Sequence, residues 1–565
     1  MKQIKNKLSN SSLRNRFSIF IGVCLVLVLS SCGVSRSLKD QPLVSQYNVE
    51  IPKRIKVSDS LYTVGKNQLR KNKQGLWELY IEGDPLERGL ANGSLTQELL
   101  QKQEAIFFSK VEELVPSKSK QYLLRKFLAW FNRKLYLHIK DEYKTEIYGV
   151  SRYASNAYDY IANDYLRSLY LHGAHDIGHA LKDLALVGCS SFAVWGENSA
   201  DNNLLIARNF DFYAGDDFAK EKIIAFVKPD NGFKYISVTW GGMIGVVSGM
   251  NDQGLTVTIN AGRSDIPLVA KTPISILTRE ILQYASNIDE AVVIAKKREV
   301  FVAEAILVGS AKDGKAVTIE VSPNNFGVFE VTNSSQMICS NHFQSTAYAD
   351  DKKNKKHKLE SHSQYRYDRM TELLKEEKVT PKLAVDILRN REGLADKKIG
   401  YGNEKALNQL LAHHAIVFKP TQLKVWISSN PYQLGEFVSY DLNTVFEKFE
   451  HQNFDENISD QEFTIPKDEF INTKAFKKYE EYRKLRHQLI QIIDSKGSVS
   501  VQFLEKFKYS NPDYWETYYL VGNYYYKKGY YKAALNEFNR ALTKEVTTVP
   551  DKEQLKKYIK KIKRN

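Results

Sequence analysis

The residues of this chain whose types and spacing suit covalent chemistry centre on Gly188-Cys189, in the run V-G-C-S-S-F. Glycine takes up strained backbone at little cost, and strain at Gly188 would expose its carbonyl to the neighbouring thiol. An N-to-S acyl shift followed by hydrolysis would then cut the chain and leave Cys189 as a new N-terminus. The α-amine released, with an ordinary pKa of about 7.7–8.0, would serve as general base for its own thiol, so no histidine is required. Against this stands the ordinary use of cysteine, which is among the most buried residue types. His172, His175 and His179 have a spacing that suits a metal, yet no cysteine or carboxylate cluster completes a ligand set. No metal is expected there, and lining a polar interface is the plainer role. Walker and dinucleotide-binding loops are absent from the sequence, and no cofactor is expected.

Around Cys189, residues 76–93 (LWELYIEGDPLERGLANG) predict a short strand, a Gly-Asp-Pro turn and a helix start. Over 95–187 the apolar spacing is helical, as in Leu123, Leu124, Phe127, Leu128 and Phe131. From Gly188 the pattern turns to strand: SSFAVWG, NLLIARNFDFY, KIIAFVKP, KYISVTWGG and GLTVTINAG are separated by Asn, Asp and Gly turns, which implies antiparallel sheet. A helix is expected over 274–297, strands near 304–308, 316–321 and 326–331, helices over 364–376 and 381–389, and more strand near 414–440. Residues 445–510 read as charged and helical. Gly522, Tyr525, Ala534, Phe538 and Ala541 resemble the small and large positions of one tetratricopeptide repeat over 512–545. One such hairpin cannot bury its own face and is expected to pack on the body.

The N-terminus has the pattern of a signal peptide: five positive charges in residues 2–16, an apolar run at 17–29 (FSIFIGVCLVLVL), then Ser30-Ser31 before Cys32. The run is shorter than the roughly 20 residues a membrane-spanning helix needs. L-S-S-C-G resembles the lipobox of bacterial lipoproteins, which implies acylation of Cys32 and stable membrane anchoring. The expected location is the outer membrane, facing the periplasm. With Cys24 removed and Cys32 acylated, Cys189 and Cys339 are left, either to pair or to stay as thiols; a lone thiol in an oxidising compartment points to reactivity. The 565 residues hold 81 bases against 66 acids, but five bases lie in 1–31 and seven in 551–565. The excess is thus largely terminal, and no nucleic-acid partner is expected. A 43% hydrophobic content excludes a chain that is disordered throughout.

Beyond V-G-C, the run A-R-N-F-D-F (Ala207 to Phe212) resembles the N-terminal-nucleophile (Ntn) hydrolases of the acyl-coenzyme A:6-aminopenicillanate acyltransferase family. Choloylglycine hydrolase and penicillin V acylase are more distantly similar. In those enzymes a cysteine N-terminus is followed by R-N-x-D, and the resemblance assigns Arg208 and Asp211 to hold the thiol and the α-amine. An arginine lowers a nearby thiol's pKa, and an aspartate orients an amine. Gly83 to Gly93 (G-D-P-L-E-R-G-L-A-N-G) resembles the opening of that family's propeptide. Gly249 to Asn260 resembles its N-x-x-G-L hairpin, and S-N-H-F (Ser340 to Phe343) a later T/S-N-H-F. By the same resemblance Asn260 and Asn341 are oxyanion donors, and S-Q-Y-R-Y-D-R (Ser363 to Arg369) assigns Arg366 to active-site electrostatics. Cys339 would share a strand face with Asn341 and is not counted as catalytic.

The resemblance implies an α+β fold: a four-layer αββα sandwich of antiparallel sheets, with a helical propeptide region and a helical C-terminal module. The expected divisions are a signal peptide at 1–31, a tether at 32–75, a helical propeptide or light chain at 76–188, the core at 189–445 and the helical module at 446–565. The function it implies is an exported, lipid-anchored hydrolase that cuts itself between Gly188 and Cys189. It would then cleave or transfer the acyl group of an amide-linked acyl compound through an acyl-Cys189 intermediate. A protein partner at the C-terminal helices is a further expectation. The rival reading is a non-catalytic envelope scaffold that uses the sandwich and the hairpin for protein contacts.

Overall fold

The computed structural model describes residues 33–47, 53–173, 176, 186–213, 215–265, 269–451 and 457–564. The apolar run at 17–29, Cys32, His175 and His179 lie outside them. Two sheets dominate the fold. The larger has eleven strands, from Ile55–Ser58 at one edge to Asn325–Phe329 at the other. The smaller has seven, in the order Gln336–Cys339, Ser190–Val194, Leu205–Phe210, His414–Lys419, Lys424–Ser428, Phe437–Asp441 and Asp460–Ile465. Neighbouring strands run antiparallel, with one departure: Trp77–Gly83 pairs parallel with Ile223–Pro229.

Alternation of side chains along each strand sorts them into layers. Along Leu205–Phe210, Ile206 joins Phe226, Ile236, Leu307 and Phe418 between the sheets. Leu205 and Ala207 turn the other way, onto Met370, Val385 and Leu388 of the helices Ser363–Leu373 and Pro381–Leu388. The far face of the larger sheet, with Leu79, Ala225, Val257 and Ile306, covers Ile147, Leu166, Leu277 and Ile281 from helices on both sides of Gly188 in sequence. The order is therefore helix, sheet, sheet, helix, an α+β fold.

The helix Pro85–Leu95 starts in a capping box, with Asp84 accepting from the N–H groups of Leu86 and Glu87 while Glu87 reaches back. It crosses Asp141–Ser151 so closely that a Cβ on Gly149 would lie 2.7 Å from Gly89. Beside this crossing Glu146 is held by Arg88 at 2.8 Å and Arg279 at 3.1 Å, all three sealed from solvent.

Several expected boundaries move. The tether was expected to reach residue 75, but Ile55–Ser58, Leu61–Val64 and Asn67–Lys71 are strands, with Val64 and Leu69 buried. The strand expected within 76–93 is present as Trp77–Gly83, and three more strands precede it. The core, expected to end at 445, continues through the helix Leu442–Glu450, whose Val445, Phe446 and Phe449 close the inter-sheet core, to the strand Asp460–Ile465. The helix expected over 274–297 is two, Ile274–Tyr284 and Ile288–Lys296, the second capped by Asn287. Beyond it all, five helices from Lys474 to Ile562 share a separate core, in which a Cβ on Gly522 would meet the Phe538 ring at 2.7 Å. No described helix is long and apolar enough to cross a membrane.

Candidate active site

Gly188 and Cys189 link two strands, Leu186–Val187, which pairs with Phe212–Tyr213, and Ser190–Val194, which pairs with Leu205–Phe210. Both pairings lay the R-N-F-D run alongside Cys189, and the Gly188 N–H donates to the Asp211 carbonyl at 3.1 Å. Cys189 is a buried free thiol. Its sulfur lies 3.6 Å from Arg208 Nη2. Arg208 reaches between the sheets, donating to the Val247 carbonyl at 2.9 Å, to Ser248 Oγ and to the Ile259 carbonyl, with its guanidinium 4.2 Å over the Phe210 ring. Burial pushes the Cys189 thiol up; Arg208 opposes the rise, and Asp211 and Glu304 add to it. The sulfur is therefore held as a thiol.

Asp211 is fully buried, and neither carboxylate oxygen has a hydrogen-bond partner among the described residues. Burial pushes it up to about 8 against the pull of Arg366 and Arg208. Arg366, from the helix Ser363–Leu373, donates to the Cys189 carbonyl, to Ser190 Oγ at 2.8 Å and to Asn341 Oδ1. Burial lowers Arg366 to about 10, which leaves it charged at neutral pH. Ser363 pins S-N-H-F in place, its hydroxyl accepting from the Asn341 N–H and contacting His342 Nδ1, each at 2.8 Å. Asn341 Nδ2 donates to the Ala261 carbonyl at 2.9 Å. Asn260 accepts from Ser191 Oγ at 2.8 Å and donates to the Cys339 carbonyl at 3.0 Å. Each of these amide nitrogens carries a second N–H.

The structure thus brings Cys189, Arg208, Asp211, Asn341 and Arg366 into one connected cluster, with Asn260 adjoining it through Ser191. Gly188 differs from expectation: its backbone is not in the left-handed region. A Cβ there would lie 2.5 Å from Gln409 Nε2, so a side chain at this position would push the Gln409 amide from its place. Cys339 is also a buried free thiol, set among Ala305, Phe343 and Tyr348. His172 is a core residue, bonded through Nδ1 to the Ser168 carbonyl at 2.8 Å and through Nε2 to the Ile244 N–H at 3.0 Å, and burial lowers it to about 4.

Two residues at the site escaped the sequence reading. Gln409 Nε2 donates to the Gly188 carbonyl at 3.2 Å from a loop with no recognisable pattern. Glu304 is buried near Arg208 and pushed well above the carboxylate range by burial and Asp176. Its signal was a lone acid opening the otherwise apolar strand Glu304–Ser310.

Residues 198–431 match the family described as acyl-coenzyme A:6-aminopenicillanic acid acyl-transferase. The matched stretch begins after Cys189 and contains Arg208, Asp211, Asn260, Asn341, Arg366 and Gln409. An uncharacterized protein of Archaeoglobus fulgidus is 27% identical over 275 residues, covering 45% of this chain and 45% of that one. The chain thus spans a little under half the length of the curated relative it matches. Among solved structures, a Caenorhabditis elegans ortholog of N-acylethanolamine-hydrolyzing acid amidase is 17% identical, covers 45% of this chain and 100% of its own, and has a TM-score of 0.32. A mutant form of conjugated bile acid hydrolase from Clostridium perfringens is 12% identical, with 48% and 95% covered and a TM-score of 0.29. Penicillin V acylase from Agrobacterium tumefaciens is 14% identical, with 45% and 86% covered and a TM-score of 0.25. Over residues 198–431 the chain is therefore similar to the family of acyl-coenzyme A:6-aminopenicillanic acid acyl-transferase.

Proposed function

We propose that this protein is an Ntn-type hydrolase or acyltransferase that cuts its own chain between Gly188 and Cys189 and then attacks acyl amides with the Cys189 thiol. The observation that carries the reading is Asp211. A buried carboxyl group that makes no hydrogen bond is costly, and a free α-ammonium at Cys189 is the donor that would satisfy it. Once that amine exists, it takes the thiol proton, and Arg208 beside the sulfur favours the thiolate. The thiolate adds to the substrate carbonyl, and the second N–H groups of Asn260 and Asn341 are suited to receive the developing negative charge. The C–N bond breaks as the α-ammonium returns its proton to the leaving amine. Water, or another amine, then discharges the thioester. Arg366 holds the Cys189 carbonyl and Asn341 in register throughout.

The test is the mass of the enzyme during turnover of an acyl amide or an activated acyl ester. One acyl group should appear on the fragment that begins at Cys189 and vanish in Cys189→Ala, which should also remain a single inactive chain. An acyl adduct elsewhere, or an active Cys189→Ala protein, would overturn the assignment.

Lipid anchoring at Cys32 belongs to the same proposal. Gly33, the next residue, lies against Arg133, a Cβ there standing 3.4 Å from its side chain. The adjoining helix Lys118–Phe131 carries Lys118, Lys120, Arg125 and Lys126 with no acid, and exposes Tyr122, Leu123 and Phe127. Such a helix suits an anionic lipid surface beside the anchor. Labelled fatty acid should enter the protein, and Cys32→Ala should abolish the label; labelling that survives the substitution contradicts the anchor.

A further inference from the structure

We infer that Gln409 is the amide donor that stabilises the oxyanion formed on the Gly188 carbonyl when the chain cuts itself, a role separate from that of Asn260 and Asn341. The inference rests on the self-cutting proposed above and adds the residue that drives its first step. In that step the Cys189 sulfur bonds to the Gly188 carbonyl carbon, and the carbonyl oxygen takes up negative charge. The Gly188–Cys189 C–N bond then breaks, the nitrogen keeps its electron pair and takes the proton given up by the thiol, and a Gly188–Cys189 thioester remains. Water hydrolyses it to a Gly188 carboxylate and a free Cys189 thiol. A donor that is to lower this barrier must already face the carbonyl oxygen in the uncut chain.

Among the described residues Gln409 Nε2 is the donor that does, at 3.2 Å. The two asparagines point elsewhere: Asn260 Nδ2 donates to the Cys339 carbonyl and Asn341 Nδ2 to that of Ala261. Gln409 is 2% exposed, so its N–H acts where water does not compete. Glycine at 188 leaves this amide room to approach, since a Cβ at that position would stand 2.5 Å from the same nitrogen and displace it.

The loop is braced for the task. Asn209, the asparagine of the R-N-F-D run, donates to the carbonyls of Leu388 and Leu407, both at 2.9 Å. Leu410, next to Gln409, is buried with φ of 53°, a left-handed conformation that a leucine keeps only when its surroundings impose it. Leu410 also belongs to the core of the C-terminal helices, which fixes the loop from the other side.

The test follows cutting of newly made full-length chain by denaturing electrophoresis, for wild type, Gln409→Leu and Gln409→Glu, with melting temperatures to show that each variant is folded. Loss of one such donor lowers a rate by about 10²- to 10³-fold, and that slowing is expected for Gln409→Leu. Gln409→Glu, which keeps the shape but opposes the charge, should be at least as slow. Hydroxylamine, which cleaves thioesters, should not restore the rate of either, because the blocked step precedes the thioester. Folded variants that cut within threefold of wild type, or that hydroxylamine restores, overturn the role of Gln409 alone. A wild-type chain that never cuts overturns both this inference and the self-cutting on which it rests.

Discussion

Trp77–Gly83 lies within the larger sheet, bonded along its length to Ile223–Pro229, whereas the helices from Lys474 to Ile562 meet the body without strand pairing, through loop residues such as Leu410 and Leu434 in their core and Tyr401, Asn403 and Glu404 at its border. The two flanking regions are attached by different physics. The segment before Gly188 shares backbone hydrogen bonds, an apolar layer and the buried Arg88–Glu146–Arg279 group with the core. The C-terminal helices keep a core of their own and add ion pairs at their border, Lys397 and Lys405 with Glu545 at 2.7 and 2.6 Å. A cut at Gly188 would therefore leave the first region bound, because among the described residues the strand pairing, the apolar layer and the buried ion group hold it independently of that peptide bond. The second region acts instead as a buttress for the loop that carries Gln409.

The sharpest way to break this contrast is Glu146→Ala. Removing the shared acid leaves two buried guanidinium groups unpaired, and breaking such a group costs about 3–5 kcal/mol. Denaturant unfolding of the whole sandwich should shift by that amount; a change confined to the N-terminal helices would show that the segment is docked rather than woven in.

A smaller effect should appear at the other border as a dependence on pH. Burial, with Glu516 nearby, pushes Glu404 up to about 7 where it meets Tyr514 and Thr547 of the C-terminal helices. Between its ordinary range and pH 7 the folded protein keeps this proton while the unfolded chain has lost it, so stability falls as pH rises. A loss of about 1–3 kcal/mol across that window is expected. Glu404→Gln should flatten it, and melting of the C-terminal helices monitored from pH 4.5 to 7 decides the matter. The smallest effect belongs to Lys397→Ala: Lys397 is half exposed, and such pairs contribute about 0–1 kcal/mol. A larger loss would mean that the border depends on charge rather than on Leu410, Leu434 and Tyr514.

Local chemistry was legible in the sequence and long-range placement was not. The capping box at Asp84, the run from Ser190 to Phe212 and the helices at 363–373 and 381–388 follow from nearest-neighbour patterns. The strands at 55–71 escaped because they are short and the first is an edge: Ile55 and Val57 stay exposed, and Lys56, Arg70 and Lys71 within the strands break the apolar alternation. The strand Asp460–Ile465 is another edge, with Phe463 half exposed. The parallel pairing joins residues far apart in the chain, which no local period encodes. At the site, residue types pointed to Gly188-Cys189, and the family resemblance of R-N-F-D added Arg208 and Asp211. Gln409 was invisible because its contact with Gly188 spans the fold, and the ordinary φ of Gly188 is likewise set by that fold rather than by the local pattern.

The most direct measurement is the N-terminal sequence and mass of the purified wild-type protein under denaturing conditions. Two fragments are predicted: one ending at Gly188, and one reading Cys-Ser-Ser-Phe and running to Asn565, the pair co-purifying until denaturant is added. An intact chain that nonetheless hydrolyses acyl amides would contradict the N-terminal-nucleophile mechanism, and an intact chain whose Cys189 ignores acylating reagents would leave the protein as a scaffold.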